Sequence, residues 1–304
     1  MEMDTPVNVQ VLKYEPLRQC ALKVEVSRST PHAPVQLFAK LRNDDRGLQL
    51  WKAFREIGAG KAEPGDFRLS RPVAYDERRR VLWHQWSEGQ EFTAFAKRQG
   101  LIRACRKAAV ALARFHQLEI AHLPSTTPEK NFRKLIERTN RMVQVHRQLK
   151  EPAQAVVLHL RQLPGFWHPA HQCPIHGDFN YSQLLFEGET PVLVDLDSAC
   201  MGDPLYDVAH FVAGLYWLER RERFSLGDVQ EAVYRFCETY RAGVPWEVPE
   251  DALHGQIALA LVCRRAYKAL RSLEPTMRDD MAYFLGLARH YLGKSTPYRT
   301  CAGQ

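Results

Sequence analysis

The spacing of apolar positions changes character along the chain. Up to Trp86 it consists of short Val- and Leu-rich runs with partial alternation, and beyond it apolar residues recur at helical spacing. Residues 7–14 and 20–26, separated by Glu15-Pro16-Leu17-Arg18, predict a hairpin, and 35–41 predict a third strand with Lys40 near its end. Residues 46–57 place Leu48, Trp51 and Phe54 near helical spacing, with Gly58-Ala59-Gly60 as the stop signal. Residues 67–74 and 80–86, joined by a turn at Asp76-Glu77-Arg78, predict two more strands before Ser87-Glu88-Gly89 breaks the pattern.

Helices are then expected over 92–99 and 102–118, the latter with Ala108, Leu112 and Phe115 on one face. Another starts at Thr127-Pro128, an N-cap followed by proline at the first helical position, and is expected to resume over 154–163 after Pro152. Asp203-Pro204 opens a helix to residue 217 in the same way. Further helices are expected over 225–241, 252–273 and 276–292, the last with Thr276 and Asp279 in a capping arrangement. The expected class is α+β: a small antiparallel sheet with one helix over residues 1–86, then a larger, mainly helical part over 87–304.

The helical pattern is interrupted once, at residues 173–204, CPIHGDFNYSQLLFEGETPVLVDLDSACMGDP. Apolar runs at 184–186 and 192–194 flank Glu187-Gly188-Glu189-Thr190, which reads as a hairpin. Counting back from the turn, Phe186 faces Pro191, Leu185 faces Val192, and Gln183 falls opposite Val194, one step from Asp195. Opposed residues lie about 4.5–5.5 Å apart at Cα, so the amide oxygen of Gln183 is expected beside the carboxylate of Asp195. Asp178 lies in the loop just before. Two carboxylates and an amide oxygen suit a hard cation such as Mg²⁺, which takes few protein ligands and completes its shell with water and phosphate.

The motif His176-Gly177-Asp178 with Gln183 five residues on, followed by VDLDSACMGDPLYDVA, resembles the aminoglycoside phosphotransferase and choline kinase family of small-molecule kinases. The resemblance implies a two-lobe protein-kinase-like fold with nucleotide between the lobes. It implies Asp178 as catalytic base, Gln183 and Asp195 as metal ligands, Mg²⁺ as cofactor, and ATP, with GTP not excluded, as co-substrate. The family's usual residue at position 183 is Asn; Gln keeps the oxygen donor and adds a methylene, as maltokinases do. By the kinase pattern a strand lysine pairs with a helix glutamate and grips the phosphates; Lys40 and Glu56 fit that order. His84 and Trp86 border the expected adenine hinge. His176 and Asp207 are read as braces of the catalytic loop, His116 as a packing or hydrogen-bonding residue, and Asp197 as a neighbour of Asp195 on the same side of a strand. The chain departs from a glycine-rich phosphate loop, since its first glycine is Gly47; Lys13 or Arg18 would stand in. Late-helix candidates for acceptor contact are Tyr216, Arg264, Arg265 and Tyr267.

Composition narrows this little. The chain has 304 residues with 45% hydrophobic and 25% charged, ordinary for a globular protein. The net charge of +7 is spread along helices among acidic residues, so no nucleic-acid partner is expected. No apolar run of membrane-spanning length and no secretory signal is visible, so no membrane partner and a cytoplasmic location are expected. Seven scattered cysteines without a CxxC predict free thiols. The partners are thus a nucleoside triphosphate and a small hydroxyl-bearing acceptor: a sugar, an amino alcohol, an aminoglycoside-like molecule or a natural product. A nucleotide-binding pseudokinase serving as a partner subunit is the alternative, motivated by the missing glycine loop and by Gln183.

Overall fold

A computed structural model describes residues 7–27, 34–55, 67–70, 72–272 and 274–293. Its first part is a five-stranded antiparallel sheet. In chain order come β1 (Val7–Glu15), β2 (Gln19–Val26), β3 (Val35–Arg42), helix α1 (Arg46–Phe54), β4 (Arg68–Leu69), β5 (Pro72–Asp76) and β6 (Val81–Gln85). The sheet order is β1-β2-β3-β6-β5, and Val24, Ala39 and Val81 form a small buried cluster of their own. β4 is not the start of one strand with β5, as alternation over 67–74 implies. It pairs in parallel with a strand of the later hairpin, Arg68 beside Val192 and Leu69 beside Leu193. Two residues carry no period, so nothing in the pattern reveals that switch.

The hairpin belongs to a second sheet. After β7 (Gln90–Glu91) come α2 (Phe92–Gln99), α3 (Leu101–His116), α4 (Pro128–Val145), α5 (Lys150–Gln162), the single turn α6 (Pro164–Trp167) and β8 (Cys173–Ile175). The hairpin strands are β9 (Leu184–Glu187) and β10 (Thr190–Leu193), in the order β4-β10-β9-β7. Their register matches the sequence reading, with Leu185 opposite Val192 and Phe186 opposite Pro191. Short β11 (Cys200–Gly202) pairs with β8. The hairpin is thereby paired with β4, from within the first part of the chain, on one side and with β7, just before the helices, on the other.

Helices complete the chain: α7 (Leu205–Arg220), α8 (Leu226–Gly243), α9 (Glu250–Ala260), α10 (Tyr267–Ser272) and α11 (Met277–Gly293). Thr127 and Ser225 cap α4 and α8 by accepting from Lys130 N and Asp228 N. Three expectations are corrected. The chain breaks at His146 and α5 begins at Lys150, before Pro152, because proline fits the first turn of a helix. The helix expected over 252–273 is split by a π-helical stretch, Leu261–Ala266. Thr276 bonds Asp280 at 3.1 Å, not Asp279, and Asp280 is buried against Arg220 and Arg221.

One large core runs from Leu50 and Phe54 of α1 through the hairpin to the late helices. Phe95 stacks on Phe186 with ring centroids 3.9 Å apart, fixing the hairpin on α2; each fully buried ring contributes about 1.5–3 kcal/mol. α7 is buried on every face from Leu205 to Leu218, which fits a helix at the centre of the helical part. Among the described residues no helix is long and apolar enough to cross a membrane, and six described cysteines are free.

Candidate active site

The end of the hairpin supplies the acidic groups. Val194 N donates to Gln183 O at 3.1 Å, so Gln183 stands opposite Val194 as its count from the turn requires. The strand then stops. Asp195 takes a left-handed conformation (φ 59, ψ 56) and a 3₁₀ turn, Leu196–Ser198, follows. Such a backbone costs a non-glycine residue about 1–2 kcal/mol, and strain of this kind gathers at functional sites. Asp195 and Asp197 therefore share a side because of the turn, not through strand alternation.

Both carboxylates converge on Lys40, whose Nζ lies 2.8 Å from Asp195 Oδ1 and 2.6 Å from Asp197 Oδ2. Arg42 adds a second cation to Asp197 at 2.8 Å. Arg46, at the start of α1, donates to Asp197 O at 2.5 Å and Ala199 O at 3.0 Å. Burial alone would push the Lys40 ammonium down, but the two aspartates outweigh it and hold it above its usual value. Burial likewise pushes Asp195 up, and Lys40 more than offsets this, leaving it an ionised carboxylate below the usual range. Glu56, the expected partner of Lys40, lies outside the described residues.

The loop carrying Asp178 is braced from α7. The fully buried Asp207 accepts from His176 N at 2.5 Å and Gly177 N at 2.9 Å, and meets His116 Nε2 at 3.2 Å. His116 Nδ1 in turn meets the Tyr240 hydroxyl at 2.8 Å. Burial lowers the His116 pKa, so the ring is neutral, donating to Asp207 and accepting from Tyr240. The His176 ring bonds Val194 O at 2.9 Å, tying the loop to the hairpin. Asp207 thus braces the loop through the backbone of His176, as the motif suggests, and His116 is a hydrogen-bonding residue. Gly177 has φ +75, and a Cβ there would strike the carbonyl oxygen of Ser198, so only glycine lets the loop lie against the 196–198 turn.

Asp178 has basic neighbours that periodicity did not reveal. Arg264 Nη1 is 3.4 Å from Asp178 Oδ1, and its Nη2 donates to Gly177 O at 3.1 Å. Arg264 Nε donates to His210 Nε2 at 2.9 Å, while His210 Nδ1 lies 3.9 Å from Asp178. Burial, reinforced by Arg264, drives the His210 pKa well below its usual value, so the ring is neutral and free to accept that bond. Arg264 reaches the loop from the π-helical stretch, a feature that often marks a functional position. Of the other late-helix candidates, Tyr216 is buried in the core with its hydroxyl 3.0 Å from that of Tyr291, so it is a packing residue. Tyr267 takes a bond from Arg141.

Between the two sheets lies a cleft of about 500 Å³ lined by Lys40, His84, Trp86, Asp195 and Asp197, with Lys13 at its edge. It shares Phe54, Ser70 and Trp86 with a neighbouring cavity of about 460 Å³. His84 is buried and bonds Ser70 O at 3.0 Å; burial lowers its pKa. Trp86 is fixed by its backbone N–H to Gln36 O and by Lys23 over its ring. Both phosphate candidates pair with Glu15, Lys13 at 2.7 Å and Arg18 at 3.5 Å; Lys13 lines the cleft, whereas Arg18, its side chain 81% exposed, does not.

A divalent cation suits this donor set. Asp195 remains 42% exposed beside Asp197, while Gln183 is placed by its backbone bond to Val194, one residue before Asp195. Among the described residues no group of three or more His, Cys, Asp and Glu is arranged to hold a metal. A cation here would depend on few protein oxygens and on those of a phosphate, the habit of Mg²⁺.

An antiparallel sheet and a helical part with a Lys–Asp pair in the cleft between them define the two-lobe kinase-like α+β fold. The model of the phosphotransferase enzyme family (APH) matches residues 45–246, and the chain belongs to that family of small-molecule phosphotransferases. Solved structures agree on the fold. The aminoglycoside phosphotransferase APH(4)-Ia is 11% identical with a TM-score of 0.63, covering 96% of this chain and 95% of its own. Choline kinase from Cryptosporidium parvum Iowa II is 12% identical with a TM-score of 0.61, covering 94% and 88%. Amicoumacin kinase, solved in complex with AMP-PNP, Ca²⁺ and Ami, is 13% identical with a TM-score of 0.62, covering 95% and 89%. No curated protein matches the sequence.

Proposed function

We propose that this protein transfers the γ-phosphate of ATP to a hydroxyl of a small molecule in a Mg²⁺-dependent reaction. The observation that carries the reading is the meeting of Lys40 with Asp195, 155 positions apart in sequence, inside the cleft that also holds His84 and Trp86. The division that serves it is a nucleotide-binding lobe, 1–86, and a catalytic and acceptor lobe, 87–304. His84 and Trp86 border the base, Lys40 and Lys13 steady the phosphates, and Asp195 with Gln183 holds the metal. A Mg²⁺ held by these residues would supply the positive charge that phosphoryl transfer needs at the phosphate oxygens. Asp178 accepts the proton of the attacking hydroxyl, and Arg264 with the neutral His210 keeps its carboxylate in place.

Catalysis of this kind is positioning plus electrostatics. Asp207 and Gly177 fix where Asp178 stands relative to Asp195, and the left-handed Asp195 aims its carboxylate into the cleft. The unpaired cysteines support a reducing compartment such as the cytoplasm. The test is ATP consumption by purified protein with a panel of hydroxylated metabolites. Turnover that needs both an acceptor and Mg²⁺, and is lost with EDTA, is expected; acceptor-independent or metal-independent phosphate release would remove the reading.

A further inference from the structure

Basic side chains gather around the Arg264 that meets Asp178. Arg264 approaches Asp178 from one side. Behind Arg264, Lys134 and Arg138 of α4 line with it, His210, Tyr206 and Asn131 a cavity of about 40 Å³. That is room for roughly two or three waters, or one carboxylate-sized group. Arg264 lines this cavity and also touches Asp178, so a group held there lies within a side chain's length of the base.

The neighbouring Arg265 is 7% exposed, and its Nε has no partner. Its guanidinium packs closely on Gly214 of α7, where a Cβ would stand 3.0 Å from Nη2. Among the described residues no carboxylate pairs with Lys134, Arg138 or Arg265. Burial, then Arg264, holds the Lys134 ammonium below its usual value, and burial lowers Arg265 to about 10. The imbalance is local. Arg220 and Arg221, on α7 and just past its end, meet Asp280 and Glu274 at 2.7 Å each.

Of Lys134, Arg138 and Arg265 only Arg265 is buried; Lys134 and Arg138 are half-buried, and Arg138 donates to Cys263 O. Such a cluster of positive charge repels ammonium-bearing molecules while drawing anions. We propose that the phosphoryl acceptor carries an anionic group, a carboxylate or a phosphate ester, seated on Lys134, Arg138 and Arg264 while its hydroxyl faces Asp178. This rests on the phosphotransferase reading, with Asp178 as base. It turns the acceptor class away from polycationic amino sugars and amino alcohols, toward hydroxy acids and phosphorylated polyols.

The test compares three size-matched acceptor classes with MgATP: hydroxy acids and phosphorylated polyols, neutral sugars and polyols, and amino sugars and amino alcohols. Expected is a kcat/KM at least tenfold higher for the anionic class, its two arms showing which anion is preferred. Lys134→Ala and Arg138→Ala should each raise KM for that acceptor about tenfold, with kcat within twofold. Separately, inorganic phosphate should raise the melting temperature of the wild type, and the double variant should lose that gain. Preference for neutral or cationic acceptors, with an undiminished phosphate response in the double variant, overturns the anion site and leaves the phosphotransferase reading standing. No turnover of any class, with the phosphate gain present only in the wild type, supports the anion site and removes the role given to Asp178.

Discussion

Replacing Asp207 by Asn should separate chemistry from nucleotide binding. The carboxylate accepts from His176 N and Gly177 N and faces the donor Nε2 of His116, all buried. An amide oxygen at the Oδ2 position keeps the bonds from His176 N and His116 Nε2 and turns the NH₂ toward Gly177 N, so one of the three bonds is lost. A hydrogen bond to a charged group contributes about 1.5–3 kcal/mol, and a stability loss of about that size follows. The consequence for catalysis is larger than its distance suggests. His176 and Gly177 immediately precede Asp178, and a shift of about 1 Å in a reacting group can lower the rate about a hundredfold. Lys40, His84 and Asp195 make no contact with Asp207, so nucleotide affinity should persist. The assays are chemical denaturation, nucleotide titration and steady-state turnover of the same preparation. A variant that loses stability but keeps the wild-type kcat would refute the claim that Asp207 positions the base.

Gly177→Ala should be at least as damaging, because it places a side chain at φ +75 against Ser198 O; turnover near wild type would show that the loop need not lie against that turn. Asp203 accepts from Leu205 N and Gln256 Nε2, and burial raises its pKa to about 6. The native state therefore keeps a proton that the unfolded chain releases near pH 4, so this stabilisation is present below about pH 4 and lost as pH rises through 6. Between those values the wild type should lose roughly 2–3 kcal/mol that Asp203→Asn does not lose; parallel stability profiles would contradict it. Lys13→Ala should raise the nucleotide KM about two- to fivefold at low salt, while Arg18→Ala, which removes an exposed side chain outside the cleft lining, should leave it unchanged.

Much of the site is legible from local pattern. Period-two alternation around a glycine turn sets the hairpin register, and that register alone places Gln183 opposite Val194. The helix caps at Thr127 and Ser225 follow from side-chain chemistry within a single turn. What stays hidden depends on breaks in period. The 3₁₀ turn after Asp195 brings Asp197 to Lys40 and Arg42 by a route no strand pattern encodes. The π-helical stretch adds a residue to one turn, so helical periodicity cannot say which face Arg264 shows. His210 and Arg46 matter only through tertiary contacts with distant loops. β4, two residues long, takes its place solely from its partner β10.

The most direct measurement titrates nucleotide with and without Mg²⁺ into wild type, Asp178→Asn and Asp195→Asn, and follows phosphoryl transfer in the same samples. Asp178→Asn should bind the Mg²⁺ complex as the wild type does and transfer no phosphate. Asp195→Asn should lose the tightening that Mg²⁺ gives. Transfer by Asp178→Asn, or an unchanged Mg²⁺ response in Asp195→Asn, would contradict the division of labour between the loop and the hairpin.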